Sequence, residues 1–193
     1  MITHIQGKLV EKNPSFVIID CNGVGYFLRI SLQTFSKLSN DEYCMLFTHL
    51  SIKEDAHTLY GFFDKDEREL FRLLISVSGV GPNTAQMILS SLTPQEIQQA
   101  ILTENVSVLQ GVKGIGGKTA QRIILDLKDK IAKLGISANS SSSSYNTIRE
   151  EALSALAMLG FSKSSMEKFV DNVLQNDSNV EIEELVKRVL KKM

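Results

Sequence analysis

Two glycine-bearing segments carry the chemistry most legible in this sequence. Val77-Ser78-Gly79-Val80-Gly81-Pro82-Asn83-Thr84-Ala85-Gln86 aligns with Val112-Lys113-Gly114-Ile115-Gly116-Gly117-Lys118-Thr119-Ala120-Gln121 at an offset of 35 residues. Each copy ends one helix, turns through Gly-apolar-Gly and starts another. The glycines can take backbone angles closed to other residues, so two helices can meet at a tight angle. Val80 and Ile115 plug the gap between the helices, and Ala85 and Ala120 leave room for close approach. The second helix of each pair begins with unpaired amides at the positive end of its dipole, which suits a phosphate. Lys118 and Arg122, four apart, share a face and add charge. Such contacts hold a nucleic-acid backbone without reading base edges, so they carry no sequence preference.

The rival chemistries are weaker. One Gly-x-Gly between helices is usually only a tight loop; its duplication and the basic flank of the second copy favour phosphate. Gly116-Gly117-Lys118-Thr119 also looks like the end of a nucleotide-binding loop. That loop requires glycine at position 112, where Val112 stands, and a preceding strand, where a helix is expected. Glu54, Asp55 and His57 make a poor metal site, being three mixed ligands in one loop. Read alone, Glu54 and Asp55 are solvated loop charges beside Lys53. Asp126 is the nearest carboxylate to the second hairpin that a nuclease or glycosylase could use, but its spacing suits a pair with Lys130. No Ser-His-Asp, Cys-His or two-metal constellation is legible. Cys21 and Cys44 read as small hydrophobes in a reducing compartment. His4 and His49 read as satisfied structural histidines.

These groups need elements to hold them. Residues 1–63 are rich in β-branched and aromatic runs, with expected strands at Ile5 to Glu11, Phe16 to Asp20, Tyr26 to Ser31, Tyr43 to His49 and Thr58 to Phe62. Asn22-Gly23 favours a tight turn, and a short helix or turn is expected around Gln33 to Leu38. Five short strands suit a small barrel. At Asp64 the period becomes helical. Asp64 and Glu67 suggest a capping box, and Leu70, Phe71, Leu74 and Val77 form the stripe that follows. Helices are expected near 82–91, 94–103, 106–110 and 117–134, with Thr93-Pro94-Gln95-Glu96 a strong helix start. Residues 135–146, dominated by serine, read as a flexible linker, and 147–193 as three short helices with a core of their own.

Composition bounds the reading. The 193 residues carry 21 Lys plus Arg against 22 Asp plus Glu, a net charge of −1. That excludes a globally basic coat but not a local patch. Residues 105–134 sum to +4, whereas 1–63 are slightly acidic. No stretch approaches the roughly 20 apolar residues needed to cross a bilayer, and no targeting segment opens the chain. A soluble, cytoplasmic protein is expected.

Taken in order, these motifs resemble the RuvA family of Holliday-junction-binding proteins. The resemblance covers essentially the whole chain. It rests on the two hairpins, on Gly23-Val24-Gly25-Tyr26, Phe47-Thr48-His49 and Glu54 to Phe62, on the serine linker, and on Ala152 to Phe161. It implies a multidomain fold: an OB-fold β-barrel over 1–63, an all-α double helix-hairpin-helix domain over 64–134, the linker at 135–146, and a three-helix UBA-like domain over 147–193. It implies phosphate contacts from Gly79, Gly81, Asn83, Gly114, Gly116, Gly117, Lys118, Thr119 and Arg122. Glu54 and Asp55 match the family's acidic pin, and Leu159, Gly160 and Phe161 fall in the motor-binding domain. The implied partners are four-way junction DNA, three further copies in a homotetramer (two tetramers forming an octamer on DNA), the RuvB ATPase and the RuvC resolvase. No cofactor, membrane or covalent chemistry is implied. One departure stands out. Asn83 and Gly117 occupy positions where the family often has lysine, so the second hairpin is expected to supply more charge than the first. Two other classes stay open at this point: a repair nuclease or glycosylase, and a protein-only adaptor whose hairpins merely pack helices.

Overall fold

Strands alternating buried and exposed side chains close on themselves in the N-terminal part of the computed structural model, which describes residues 1–39, 41–139, 144–177 and 180–191. The strands are β1 (His4–Asn13), β2 (Phe16–Cys21), β3 (Val24–Ile30), β4 (Tyr43–Ile52) and β5 (His57–Phe62), with helix α1 (Leu32–Lys37) between β3 and β4. Their order is β1-β2-β3-β5-β4 in a closed barrel. Only the β3–β5 pairing is parallel among these neighbours. The register of β1 on β2 shifts between Leu9 and Glu11, the kind of bulge that bends a strand around a barrel. Asn22 and Gly23, both at positive φ, make the two-residue β2–β3 turn expected from their types. Val17, Ile19, Leu28, Ile30 and Leu46 fill the interior.

The helices after Asp64 are α2 (Lys65–Ile75), α3 (Pro82–Ser91), α4 (Pro94–Leu102), α5 (Val106–Gln110) and α6 (Gly117–Asn139). The capping box at Thr93 forms in full, each of Thr93 and Glu96 bonding the other's backbone amide. The core of these helices does not stop at residue 64. Tyr60 and Phe62 from β5 join it, their rings 5.1 and 4.9 Å from that of Phe71. Barrel and helices therefore lie in one compact unit, Met1–Ala132. The barrel keeps a core of its own, while that of the helices begins at Tyr60, four residues before the change of period at Asp64.

The expected box at Asp64 and Glu67 is not what forms. Asp64 is the N-cap residue of α2 but makes no capping hydrogen bond, and its carboxylate pairs with Lys37. Glu67 turns inward and is 1 % exposed. Its two oxygens accept from the Ser31 hydroxyl and, at 2.8 Å, the Thr34 hydroxyl. Thr34 Oγ1 in turn accepts from the Phe63 amide, and Ser31 Oγ caps α1 by accepting from the Thr34 amide. A box would satisfy two amides that water can also serve; this arrangement satisfies buried hydroxyls on a neighbouring element, a larger gain. His49 also departs from expectation. Its ring packs 5.4 Å from Phe71, yet Nδ1 is buried with no partner among the described residues. Burial, with Arg72 and Arg68 nearby, lowers its pKa. His4 is exposed.

The second unit is Lys133–Met193. It holds α7 (Ser144–Met158), α8 (Lys163–Asn176) and α9 (Ile182–Lys191). Leu153, Leu156, Val170, Val173, Leu174, Leu185 and Val189 form its core. Arg149 of α7 grips the Asp171 carboxylate of α8 with two donors, which holds that carboxyl below its ordinary pKa. Helix extends into both ends of the segment expected to be linker, α6 to Asn139 and α7 from Ser144. Once nucleated, a helix adds residues at little cost, so polar residues can continue one. The expected linker residues 140–143 lie outside the described residues.

Burial pushes the Glu67 carboxyl above the usual carboxylate range, while the Ser31 and Thr34 hydroxyls pull it down. A carboxyl with a raised folded-state pKa holds its proton more tightly folded than unfolded. Its contribution to stability is therefore greatest below the ordinary glutamate pKa and declines as pH rises through the raised value. Urea unfolding from acid to neutral pH should show that decline removed in Glu67→Gln. Glu67→Ala should cost about 2–3 kcal/mol by stranding two buried hydroxyls.

Candidate nucleic-acid interface

The two hairpins repeat in detail. In the first, the amides of Val77 and Val80 donate to Leu74 and Val77 carbonyls, and that of Ala85 to Gly81. In the second, the amides of Val112, Ile115 and Ala120 donate to Leu109, Val112 and Gly116, all at the same offset. Gly79 and Gly114 have φ of +89° and +90°, so the turn itself requires glycine there. Val77, Val80 and Ala85 are buried, as are Val112, Ile115 and Ala120. These side chains pin each turn to the core and leave its outer edge to solvent.

That outer edge is open. Gly81 has φ −84° and ψ 168°, angles any residue adopts. A Cβ added at Gly81 or Gly116 would meet nothing within 4 Å. Nothing inside the protein calls for glycine at these two positions, so their lack of a side chain keeps space for something outside. Gly81 is the N-cap of α3 and offers no capping side chain, so the helix's first amides stay available. Gly117 begins α6, and Thr119 lies in its first turn. Gly117 differs in one respect: a Cβ there would strike Gln110 Nε2 at 2.6 Å, the end of a side chain able to swing aside.

The charges divide unevenly. Lys113, Lys118 and Arg122 are exposed around the second hairpin. Arg122 Nη1 reaches back to the Ser78 carbonyl of the first hairpin at 3.4 Å, so one cation serves both turns. Lys128, counted within the +4 window, pairs with Glu104, which stands just before that window begins. The basic face is thus narrower than the sequence count implies. At the first hairpin, Asn83 Oδ1 accepts from Tyr60 Oη at 3.0 Å and from Arg29 Nη1 at 3.1 Å. Sequence reasoning passed over Arg29, 54 positions from Asn83; its only signal was the alternation that turns it outward on β3. Gln86 Nε2 donates to the Ile30 carbonyl at 2.6 Å, and Ser90 Oγ accepts from the Leu32 amide at 3.2 Å. The barrel thereby holds α3, and with it the first hairpin.

Glu54 and Asp55 sit at the exposed tip of the β4–β5 hairpin, inside a turn closed by the Lys53 amide on the Ala56 carbonyl at 2.9 Å. No cluster of metal-ligating side chains occurs among the described residues. In the second unit, Gly160 (φ +97°) ends α7. Its amide donates to Ala157 and that of Phe161 to Leu156, a paired terminator that reverses the chain. Phe161 packs against the core, whereas Met158 and Leu159 are 88 % and 60 % exposed. No helix among the described residues is long and apolar enough to cross a membrane.

Comparison with known proteins adds to this geometry. A family model for the RuvA N terminal domain matches residues 1–61. One for a SAM-like helix-hairpin-helix tandem matches 71–129, and one for the RuvA C-terminal domain matches 147–193. The chain is 53 % identical over 193 residues to the Holliday junction branch migration complex subunit RuvA of Christiangramia forsetii, covering all of both chains. It is 52 % identical to that of Flavobacterium psychrophilum, again over all of both. The corresponding Bacteroides thetaiotaomicron protein is 47 % identical over 201 aligned residues, with both chains fully covered.

The two kinds of glycine should respond oppositely to alanine. Gly81→Ala and Gly116→Ala should leave stability unchanged or raise it by about 0.4–1 kcal/mol, yet weaken DNA binding severalfold. Gly79→Ala and Gly114→Ala should each cost about 1–2 kcal/mol by forcing a side chain into a positive φ. Thermal unfolding and fluorescence anisotropy on labelled DNA, run on the same four variants, check both halves.

Proposed function

This chain belongs to the RuvA family, whose members are non-catalytic DNA-binding subunits, and on that premise we propose that it binds four-way Holliday junctions by structure and not by sequence. The observation that carries the reading is the duplicated hairpin whose Gly81 and Gly116 leave space that no protein atom uses. Two such cradles, each beside free helix amides, fit two stretches of phosphate backbone. Gly79, Gly81 and Asn83 line the first contact, and Gly114, Gly116, Gly117, Lys118 and Thr119 the second, with Arg122 between them. The enzyme alternative would need a carboxylate poised beside the second hairpin. Asp126 lies exposed on α6, with no metal-ligating cluster around it among the described residues.

Four copies assembled through the barrel would bring four Glu54-Asp55 tips together. Their carboxylates would repel phosphates at that point, opposing continuous duplex and parting strands at a crossover. In the second unit, exposed Leu159 beside the Gly160 turn and the partly buried Phe161 offer an apolar edge for the RuvB motor. RuvB would supply ATP hydrolysis for branch migration in recombination and repair, and RuvC would resolve the same junction.

Gel shifts of a four-way junction and a duplex of equal length, at several salt concentrations, test the reading. Junction binding should be tighter and fall steeply with salt. Neutralising Glu54 and Asp55 together (Glu54→Gln, Asp55→Asn) should raise duplex affinity more than junction affinity and leave the melting temperature unchanged, since exposed loop charges contribute little to stability. Equal binding of junction and duplex by the unaltered chain would overturn the reading.

A chain ending at Asn139 should still bind junctions but fail to stimulate junction dissociation by RuvB and ATP. Equal stimulation by full-length and shortened chains would place the motor contact elsewhere.

A further inference from the structure

The internal repeat makes the two hairpins directly comparable, and one difference between them is large. Asn83 is the counterpart of Lys118. From Leu73 to Val112 the sequence contains no lysine or arginine at all, so the first hairpin has no cation of its own. Its cradle is nevertheless built like the second, with an uncapped helix start at Gly81 and open space at the glycine. Arg122, shared with the second hairpin, reaches the Ser78 carbonyl at 3.4 Å, but a phosphate site of two or three amides with no cation beside the start of α3 would be weak in water, where charge-assisted contacts supply most of the affinity.

Arg29 stands beside that gap. It projects from the outer face of β3, is exposed, and forms no ion pair among the described residues. Its Nη1 donates to Asn83 Oδ1 at 3.1 Å. The same oxygen accepts from the hydroxyl of Tyr60, which is 4 % exposed and fixed against Phe71. The asparagine therefore works as a bracket: its carbonyl is held by a buried tyrosine and in turn holds the guanidinium beside the first residues of α3. A guanidinium has five donors, so one bond to Asn83 leaves others for a phosphate.

Resting on the junction-binding reading, we infer that Arg29 contacts a DNA backbone phosphate at the first hairpin, supplying from the barrel the charge that Lys118 supplies within the second. The contact is made by a fork held from behind, not by a flexible ammonium. Position 83 thus acts through Arg29, and both residues belong to one site assembled from a strand and a helix.

The test measures junction affinity against salt with the full-length chain and four variants. Arg29→Gln should weaken binding and reduce the slope of log affinity on log salt by about 0.9 for each phosphate no longer neutralised. Arg29→Gln combined with Asn83→Lys should restore the slope by returning a cation to the same place. Tyr60→Phe, which removes the second hydrogen bond but no charge, should leave the slope close to that of the unaltered chain. Lys118→Ala serves as the reference for a direct contact. A lowered slope in Lys118→Ala with an unchanged slope in Arg29→Gln would overturn the inference, whatever the change in affinity, because a residue that only positions Asn83 releases no counterions. Salt-insensitive binding by the unaltered chain would instead overturn the junction reading on which the inference rests.

Discussion

A carboxylate shut away from water must take its hydrogen bonds from donors already in place. Glu67 takes them from the two hydroxyls that begin α1. Because Thr34 also accepts from the Phe63 amide, the same few atoms tie the end of β5, helix α1 and the first helix beyond the barrel. The direction of α2 is set there, and α2 leads into the first hairpin. Phe71, on the same helix, completes the joint by packing on Tyr60 and Phe62. Tyr60 then reaches through its hydroxyl to Asn83. A chain of short, specific contacts thus runs from a buried acid to the edge of the proposed DNA site.

The repeat shows how one backbone device can be kept while its electrostatics drift. Both turns need a positive φ at their first glycine and a buried plug after it, and both have these features. Charge is not subject to the same requirement, because a cation can arrive from any element that passes close by. Arg122 crosses from the second hairpin's helix to the carbonyl of Ser78, and Arg29 comes from the barrel. Backbone geometry is local and is inherited with the motif. Electrostatic potential sums over the surface and can be redistributed.

The three-helix unit follows other rules. Its core is small, and a two-donor Arg149–Asp171 grip between α7 and α8 supplements apolar packing. Its helix terminator puts Phe161 against the core while Met158 and Leu159 face water.

What the sequence determined by itself was what nearest neighbours and short periods set without a competing partner. The Asn22-Gly23 turn, the Thr93–Glu96 box, the α3 start at Pro82 and the duplicated glycine turns depend on residues a few positions apart, and each formed as its types dictate. The family resemblance was legible for the same reason, since it rests on motifs in fixed order. The tertiary structure decided where competing partners lie far apart in the chain. Glu67 could have capped its own helix, but hydroxyls more than thirty positions away offered a buried carboxylate a better set of bonds. His49 reads as a satisfied structural histidine, yet packing leaves its Nδ1 with no partner among the described residues. Lys128 counted as free charge until folding set Glu104 beside it, and Asn83 counted as a missing charge until folding set Arg29 beside it. Coulomb and hydrogen-bond energies depend on distance in space, and only the fold converts separation along the chain into that distance.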